Sequence, residues 1–143
     1  MTSYLVDTNV FLYARGAEHP YQEPCRAVLA AARDGVMTLE ASVEVVQEFT
    51  HVLLRRGIGR ADALEEALEM RSQCRLHAFD DEVLEMAMRL LADHPALGMR
   101  DAVHAATAVS AGLGSMVSTD RVFDGVAGLR RIDPIADRHL LSD

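Results

Sequence analysis

Short β-prone stretches alternate with longer helical ones along almost the whole chain, and this alternation is what most limits the folds open to it. Strands separated by helical segments cannot pair as tight hairpins. They form a parallel sheet with helices packed on both faces. Residues 3–6, 36–39, 75–79, 115–118 and 129–132 read as strands. A helix over 22–33 tolerates Pro24 in its first turn and stops at Asp34-Gly35. Ser42 is a good N-cap for a helix to about Arg56, which Gly57 ends. A further helix covers 60–72. Asp80 caps another that runs to about Asp93 and breaks at His94-Pro95. The last, 99–111, is rich in alanine and closes at Gly112. Small side chains nearly all round let such a helix lie close to a sheet, so it should be largely buried. The expectation is an α/β fold: one domain over residues 1–143, with a central, mostly parallel sheet of four or five strands flanked by helices.

A chain of 143 residues can bury a core without staples. No apolar run approaches the roughly 20 residues that span a bilayer, and the start does not read as a signal peptide. A cytoplasmic location is expected, with no membrane contact. Cys25 and Cys74 lack metal-ligand spacing and read as free thiols in that compartment. The net charge of −8 argues against a simple nucleic-acid binder. Its distribution weakens that argument. Residues 61–93 hold nine acids and three arginines and carry −6 of the total, which reads as solvated helix faces. If four of the remaining acids bound a divalent cation, the rest of the surface would be mildly basic. All 14 basic residues are arginine. Arginine makes planar, bidentate phosphate contacts, although biased codon usage explains the preference equally well. The lack of lysine excludes any mechanism that requires one.

The chemistry-bearing residues are scattered acids. In Leu5-Val6-Asp7-Thr8-Asn9 a buried-type strand ends on a carboxylate, and ligands of open α/β sheets bind beyond such strand ends. Asp120 repeats the arrangement after 115–118, with Asp124 four residues later. Either acid could instead be an ordinary turn or cap residue. Glu48 sits at the border of the apolar stripe Val45, Val46, Phe49, Val52, Leu53. Partial burial there is costly unless the acid is paired or binds metal. Glu44, a turn earlier, is explained by the helix dipole, and His51 reads as exposed. Asp101 lies in the first turn of the alanine-rich helix and shares a face with His104. His104 reads first as a core histidine, then as a substrate or supporting contact. Asp7, Glu48, Asp101 and Asp120 could all lie at one end of one sheet. Crowded carboxylates repel one another, and a hard divalent cation relieves that repulsion. Oxygen-only donors suit Mg²⁺ or Mn²⁺.

At these residues the chain resembles a PIN-domain ribonuclease of the VapC toxin type. Leu5-Val6-Asp7-Thr8-Asn9-Val10 matches the family's first motif. Ser42 to Phe49 with Val52-Leu53 matches the second, placing its acid at Glu48 rather than Glu44. Arg100 to Ala108 matches the third, with its acid at Asp101. Ser118 to Asp124 matches the fourth and most variable, with Asp120 as its acid and Asp124 as a supporting or substitute ligand. The four motifs occur in order over essentially the whole chain. The resemblance implies a PIN-like three-layer sandwich and a Mg²⁺- or Mn²⁺-dependent endoribonuclease acting on structured RNA of the tRNA or rRNA class. It also implies a homodimer restrained by a cognate VapB-type antitoxin, whose basic segment an acidic pocket would attract.

On this reading Asp7, Glu48, Asp101, Asp120 and Asp124 are the metal-facing acids. Thr8, Asn9 and Thr119 shape the pocket, while Arg100, Arg121 and His104 are candidate substrate contacts. The pair Arg55-Arg56 is a further phosphate contact to consider. Two alternatives stay open. One is a PIN fold that binds metal or RNA without cleaving it. The other is a haloacid-dehalogenase-like phosphatase, which is disfavoured because Asn9 stands where that family has a second Asp and there is no lysine.

Overall fold

The computed structural model describes residues 1–142. The chain begins with β1 (Ser3–Val6), α1 (Thr8–Arg15), α2 (Gln22–Arg33) and β2 (Thr38–Ser42). It continues through α3 (Val43–Arg55), α4 (Arg60–Ser72), β3 (Cys74–His77), α5 (Asp81–Asp93) and α6 (Met99–Ser110). It ends with β4 (Ser115–Val117), β5 (Arg130–Ile132) and two short 3₁₀ turns, Arg121–Phe123 and Arg138–Leu140.

The five strands form one parallel sheet in the order β3-β2-β1-β4-β5. The chain starts in the middle, builds outward to β3, then crosses back to add β4 and β5 on the other side. The order therefore reverses between β1 and β4, and a crevice opens at the strand ends of such a switch point. Leu5 pairs with Met116 and Val6 with Val117, which brings Asp7 beside Ser118.

Alternation along β1 divides the interior into two cores. Tyr4 and Val6 pack with α1, α2, α3 and α4, for example with Phe11, Val28, Phe49 and Met70. Leu5 packs with α5, α6 and Phe123 on the opposite face. A central strand covered on both faces must be apolar throughout, which explains the unbroken Tyr4-Leu5-Val6 run. In α6 the residues from Ala102 to Ala108 are all buried, as its alanine content predicts.

Three details differ from the sequence reading. The segment after Asp7 is the helix α1, not an irregular exit from the strand. Its stripe of Val10, Phe11 and Ala14 carries the 3–4 spacing of a buried helix face, but eight residues are too few to stand out by periodicity. The second strand lies at Thr38–Ser42 rather than 36–39, and runs directly into α3 because the Ser42 hydroxyl accepts the Glu44 N–H at 3.1 Å. The third strand ends at His77, leaving Phe79 in the approach to α5. Cys25 and Cys74 are free, and burial pushes both thiols up to about 12. Among the described residues no helix is long and apolar enough to cross a membrane.

Close approach of α6 to the sheet requires small side chains. Ala106 is fully buried, whereas Ala111 just beyond the helix is exposed. Ala106→Leu should cost about 1–3 kcal/mol by overpacking. Ala111→Leu should change stability by less than about 0.5 kcal/mol. Urea denaturation of both variants checks the contrast.

Candidate active site

The candidate site lies at the switch point, where β1 and β4 deliver their following residues side by side. Asp7 is only 6 % exposed. Its backbone N–H donates to the Val117 carbonyl at 3.0 Å, extending the β1–β4 ladder by one bond. Its side chain is the N-cap of α1: Oδ1 accepts the Thr8 N–H at 2.8 Å, and Oδ2 accepts the Ser118 hydroxyl at 2.7 Å. The Ser118 oxygen in turn accepts from the Asp120 N–H at 3.0 Å and from Asn9 Nδ2 at 3.3 Å. One donor and two lone pairs are all that a serine hydroxyl has. With all three used, Ser118 is locked as a donor to Asp7.

Glu48 reaches the same place from α3. Its Oε2 accepts the Thr8 hydroxyl at 3.0 Å and lies 3.2 Å from His104 Nε2 on α6. The desolvation anticipated for this border acid is thus compensated by two partners. His104 is only 2 % exposed, and its Nδ1 is buried with no hydrogen-bond partner among the described residues. It is therefore a core histidine that also fixes Glu48.

Asp101 is half-buried in the first turn of α6, where its Oδ2 accepts the Gly98 N–H at 3.4 Å. Asp120 caps the first 3₁₀ turn by accepting the Val122 N–H at 3.0 Å. The Thr119 N–H donates to Asn9 Oδ1 at 3.4 Å, tying the end of β4 to α1. Asp124 is 55 % exposed and turns to Arg131, which holds it with Nε at 2.8 Å. Arg131 also donates to the Ser118 carbonyl at 3.1 Å and to Asp133 at 3.0 Å, and Asp133 accepts the Tyr21 hydroxyl at 2.7 Å. Arg100, Arg121 and His51 are exposed, and Arg100 and His51 line a cavity together with Glu48 and His104. Glu44 is half-buried on α3 and makes no bond to any of the four acids.

The electrostatics show that these acids sense one another. Burial holds the Asp7 carboxyl above its ordinary value of 3.8, with Glu48 adding to the rise and His104 and Ser118 opposing it. Asp101 is likewise raised, first by burial and then by repulsion from Asp120 and Glu48. Glu48 is lowered, foremost by its bond to His104, against the cost of burial. For His104 burial opposes the charged ring most strongly, yet the bond to Glu48 and the charges of Asp7, Glu48 and Asp101 outweigh it and raise the imidazole. Such opposed shifts within one cleft mark a functional site more often than a structural one.

Asp7, Glu48, Asp101 and Asp120 therefore belong to one constellation, joined by Thr8, Asn9, His104 and Thr119. Among the described residues, no three Asp, Glu, His or Cys side chains are close enough to form a ready-made metal cage. The acids spend their oxygens on protein donors instead. Sequence reasoning missed Ser118 as the hub, and it missed the Arg131–Asp133–Tyr21 network behind it. A serine directly after an apolar strand was the only available signal, and it is a weak one.

The raised Asp7 carboxyl has a consequence for stability. A group whose folded-state pKa is raised favours the folded protein at low pH, and stability falls as pH rises above 3.8 and the buried charge forms. Asp7→Asn removes that charge and keeps an acceptor for the Thr8 N–H, but it sets an amide donor against the Ser118 hydroxyl, a loss that does not depend on pH. The melting temperature of the variant relative to the native protein should therefore be higher at pH 7 than at pH 4. A difference that does not change between the two pH values would show that the Asp7 carboxyl is not raised.

A family model for the PIN domain matches residues 4–129. Ribonuclease VapC7 of Mycobacterium tuberculosis is 36 % identical over 134 residues, covering 92 % of each chain. Ribonuclease VapC13 of the same organism is 31 % identical over 135 residues, covering 90 % of this chain and 98 % of its own. Among solved structures, VapBC-1 from nontypeable Haemophilus influenzae superposes with a TM-score of 0.70 at 13 % identity, covering 93 % of this chain and 98 % of that one. Mycobacterium tuberculosis VapC20, described as a sarcin-ricin loop cleaving toxin, gives 0.65 at 21 % identity, covering 85 % and 90 %. With the motif acids gathered at one switch point and the match running through nearly all of the sheet, the chain belongs to the PIN-domain family.

Proposed function

We propose that this chain is an endoribonuclease toxin that depends on Mg²⁺ or Mn²⁺ and is restrained by a VapB-type antitoxin. The observation that carries the reading is the convergence of Asp7, Glu48, Asp101 and Asp120 at the β1–β4 switch point, where burial raises Asp7 and Asp101 and the nearby carboxylates add to the rise. The family membership and the ribonuclease names of its relatives support the same reaction.

The donor set fits a hard cation. The four acids supply only oxygen, and the site would gain from added positive charge because its carboxylates repel one another. Mg²⁺ keeps several waters and takes one or two carboxylates, so a close protein cage is not required. Asp7, Glu48, Asp101 and Asp120 would hold the ion. Asp124 would join only after leaving Arg131. The chemistry supplied there by a bound ion would be the activation of water and the stabilisation of charge on the phosphate oxygens.

The remaining work falls to the chain itself. Ser118 and the Thr8 N–H hold the Asp7 carboxylate in one orientation. Thr8 and His104 do the same for Glu48. Arg100 and Arg121 are exposed and would meet phosphates of the substrate near the cut. No side chain is required as nucleophile, so the products should carry a 5′-phosphate and a 3′-hydroxyl. Homodimerisation and a cytoplasmic location complete the proposal, and light scattering of the purified chain tests the former.

The deciding experiment is cleavage of total cellular RNA by purified protein with Mg²⁺ or Mn²⁺, then with EDTA, with the product ends sequenced. Discrete cuts that EDTA abolishes support the proposal. Asp7→Asn should lose at least about a hundredfold in rate, because it removes one of the anionic oxygens that would hold the cation. Glu44→Gln should cut at close to the native rate. Equal losses would mean that α3 presents Glu44 rather than Glu48. Folded protein that binds RNA without cutting it would establish the binding-module alternative. A 2′,3′-cyclic phosphate product would overturn the water-attack mechanism.

A further inference from the structure

Aromatic rings are scarce in this chain, which has no tryptophan and only three tyrosines. Every phenylalanine is buried or half-buried. Yet Tyr13, His19 and Tyr21 gather at the surface where α1 turns into α2. The Tyr13 and His19 ring centroids are 4.6 Å apart at 33°. Tyr13 and Tyr21 lie at 5.4 Å, and His19 and Tyr21 stack at 6.0 Å with only 12° between their planes. His19 is exposed, while the two tyrosines are half-buried. The Tyr21 hydroxyl is pinned by Asp133, which fixes that ring's orientation. A surface cavity of about 490 Å³ borders the cluster, walled by Tyr13, His19, Asn9 and Arg56, with Glu18 as its one acid.

The position of the cluster is what gives it meaning. Asn9 and Tyr13 are four residues apart on α1 and share a face, about 6 Å along the helix axis. Asn9 is bonded to Ser118 and Thr119 inside the acid site. Asn9 is therefore common to the cavity wall and to the acid constellation, one turn of α1 from Tyr13. Two exposed arginines lie nearby. Arg56 lines the cavity, and Arg121 directly follows Asp120, whose N–H is bonded to Ser118 in the acid site. Neither makes a salt bridge among the described residues. In a chain of net charge −8, unpaired cations beside a ring cluster next to the acid site are a local departure from the overall balance.

We propose that Tyr13, His19 and Tyr21 form a stacking platform for unpaired bases of RNA on one side of the scissile phosphate, with Arg56 and Arg121 holding the adjoining backbone. The proposal rests on the ribonuclease reading above and specifies how its substrate is held. Aromatic faces beside free guanidinium groups are the recurring means of binding single-stranded nucleic acid without reading its sequence. Stacking and phosphate contact are separable contributions, because only the first requires a base. The platform therefore favours a strand whose bases are splayed out near the cut, rather than an intact duplex.

The test is binding in EDTA, so that neither metal nor turnover enters. A fluorescein-labelled 12-mer of oligouridylate is compared with an abasic ribose-phosphate chain of the same length by anisotropy. The native protein should bind the uridylate about tenfold more tightly, within the range of one or two stacked bases. His19→Ala and Tyr13→Leu should lose most of that difference and leave binding to the abasic chain unchanged. Tyr13→Leu keeps an apolar side chain in its half-buried place, and His19 is a loop residue, so both variants should fold. Arg121→Ala should weaken both ligands alike and flatten the salt dependence. Arg75→Ala, an exposed arginine on the opposite edge strand β3, should not. The proposal is overturned if uridylate binds no better than the abasic chain, or if the difference survives in both ring variants. Base-dependent binding through these rings together with a failure of metal-dependent cleavage would sink the ribonuclease reading while leaving the platform in place.

Discussion

The hydrogen bond from Ser118 to Asp7 is the point on which the rest of this structure turns. A carboxylate buried at the seam of two strands is costly in an apolar interior, and the cost is tolerable only where donors are already in place. Here the donors come from the two elements that must meet if the sheet is to close: the start of α1 supplies the Thr8 N–H, and the end of β4 supplies the Ser118 hydroxyl. Asp7 thus caps a helix, joins β1 to β4 and faces the crevice at once. The parallel register that sets Val6 opposite Val117 is what makes these roles compatible.

Around that point the site is built as a shell of polar groups that orient one another. Thr8 links Asp7 to Glu48, and His104 braces Glu48 from α6, so three helices are tied to one strand end. Behind the seam Arg131 binds the Ser118 carbonyl and is itself held by Asp133. Arg131 also occupies Asp124, drawing that acid away from the cleft. Each acid has a protein donor, while burial and the nearby carboxylates raise Asp7 and Asp101, a strain that the cation proposed above would relieve. The same tension explains how an acidic chain can serve a polyanionic substrate: the negative charge is concentrated in the cleft and along 61–93, while free arginines remain exposed.

Much of this was legible beforehand, and the exceptions are instructive. The helix over 22–33 was legible from Pro24 in its first turn and its stop at Asp34-Gly35, and the alanine-rich segment from its composition. Glu48 was distinguishable from Glu44 because only Glu48 borders the apolar stripe of α3. The helix α1 escaped notice because its eight residues begin with two polar ones. Ser118, Arg131 and Asp133 could not be identified in advance. Nothing local marks Ser118 or Asp133 as the partner of a residue more than a hundred positions away, and Arg131 matters only because it braces those two. The ring cluster escaped notice for a different reason: Tyr13, His19 and Tyr21 lie within nine residues, but they meet only through the path of the turn between α1 and α2.

The sequence by itself determined the elements, their alternation, the parallel sheet and the residue types at its strand ends, because periodicity, capping and turn chemistry act over a few residues at a time. Only the tertiary structure decided which strand end faces which, and hence that Asp7 meets Ser118, that Asp124 goes to Arg131, and that aromatic rings border the acid site. Those outcomes depend on strand order and register, which arise from long-range packing of two separate cores on one sheet. Local propensity carries no information about partners that distant.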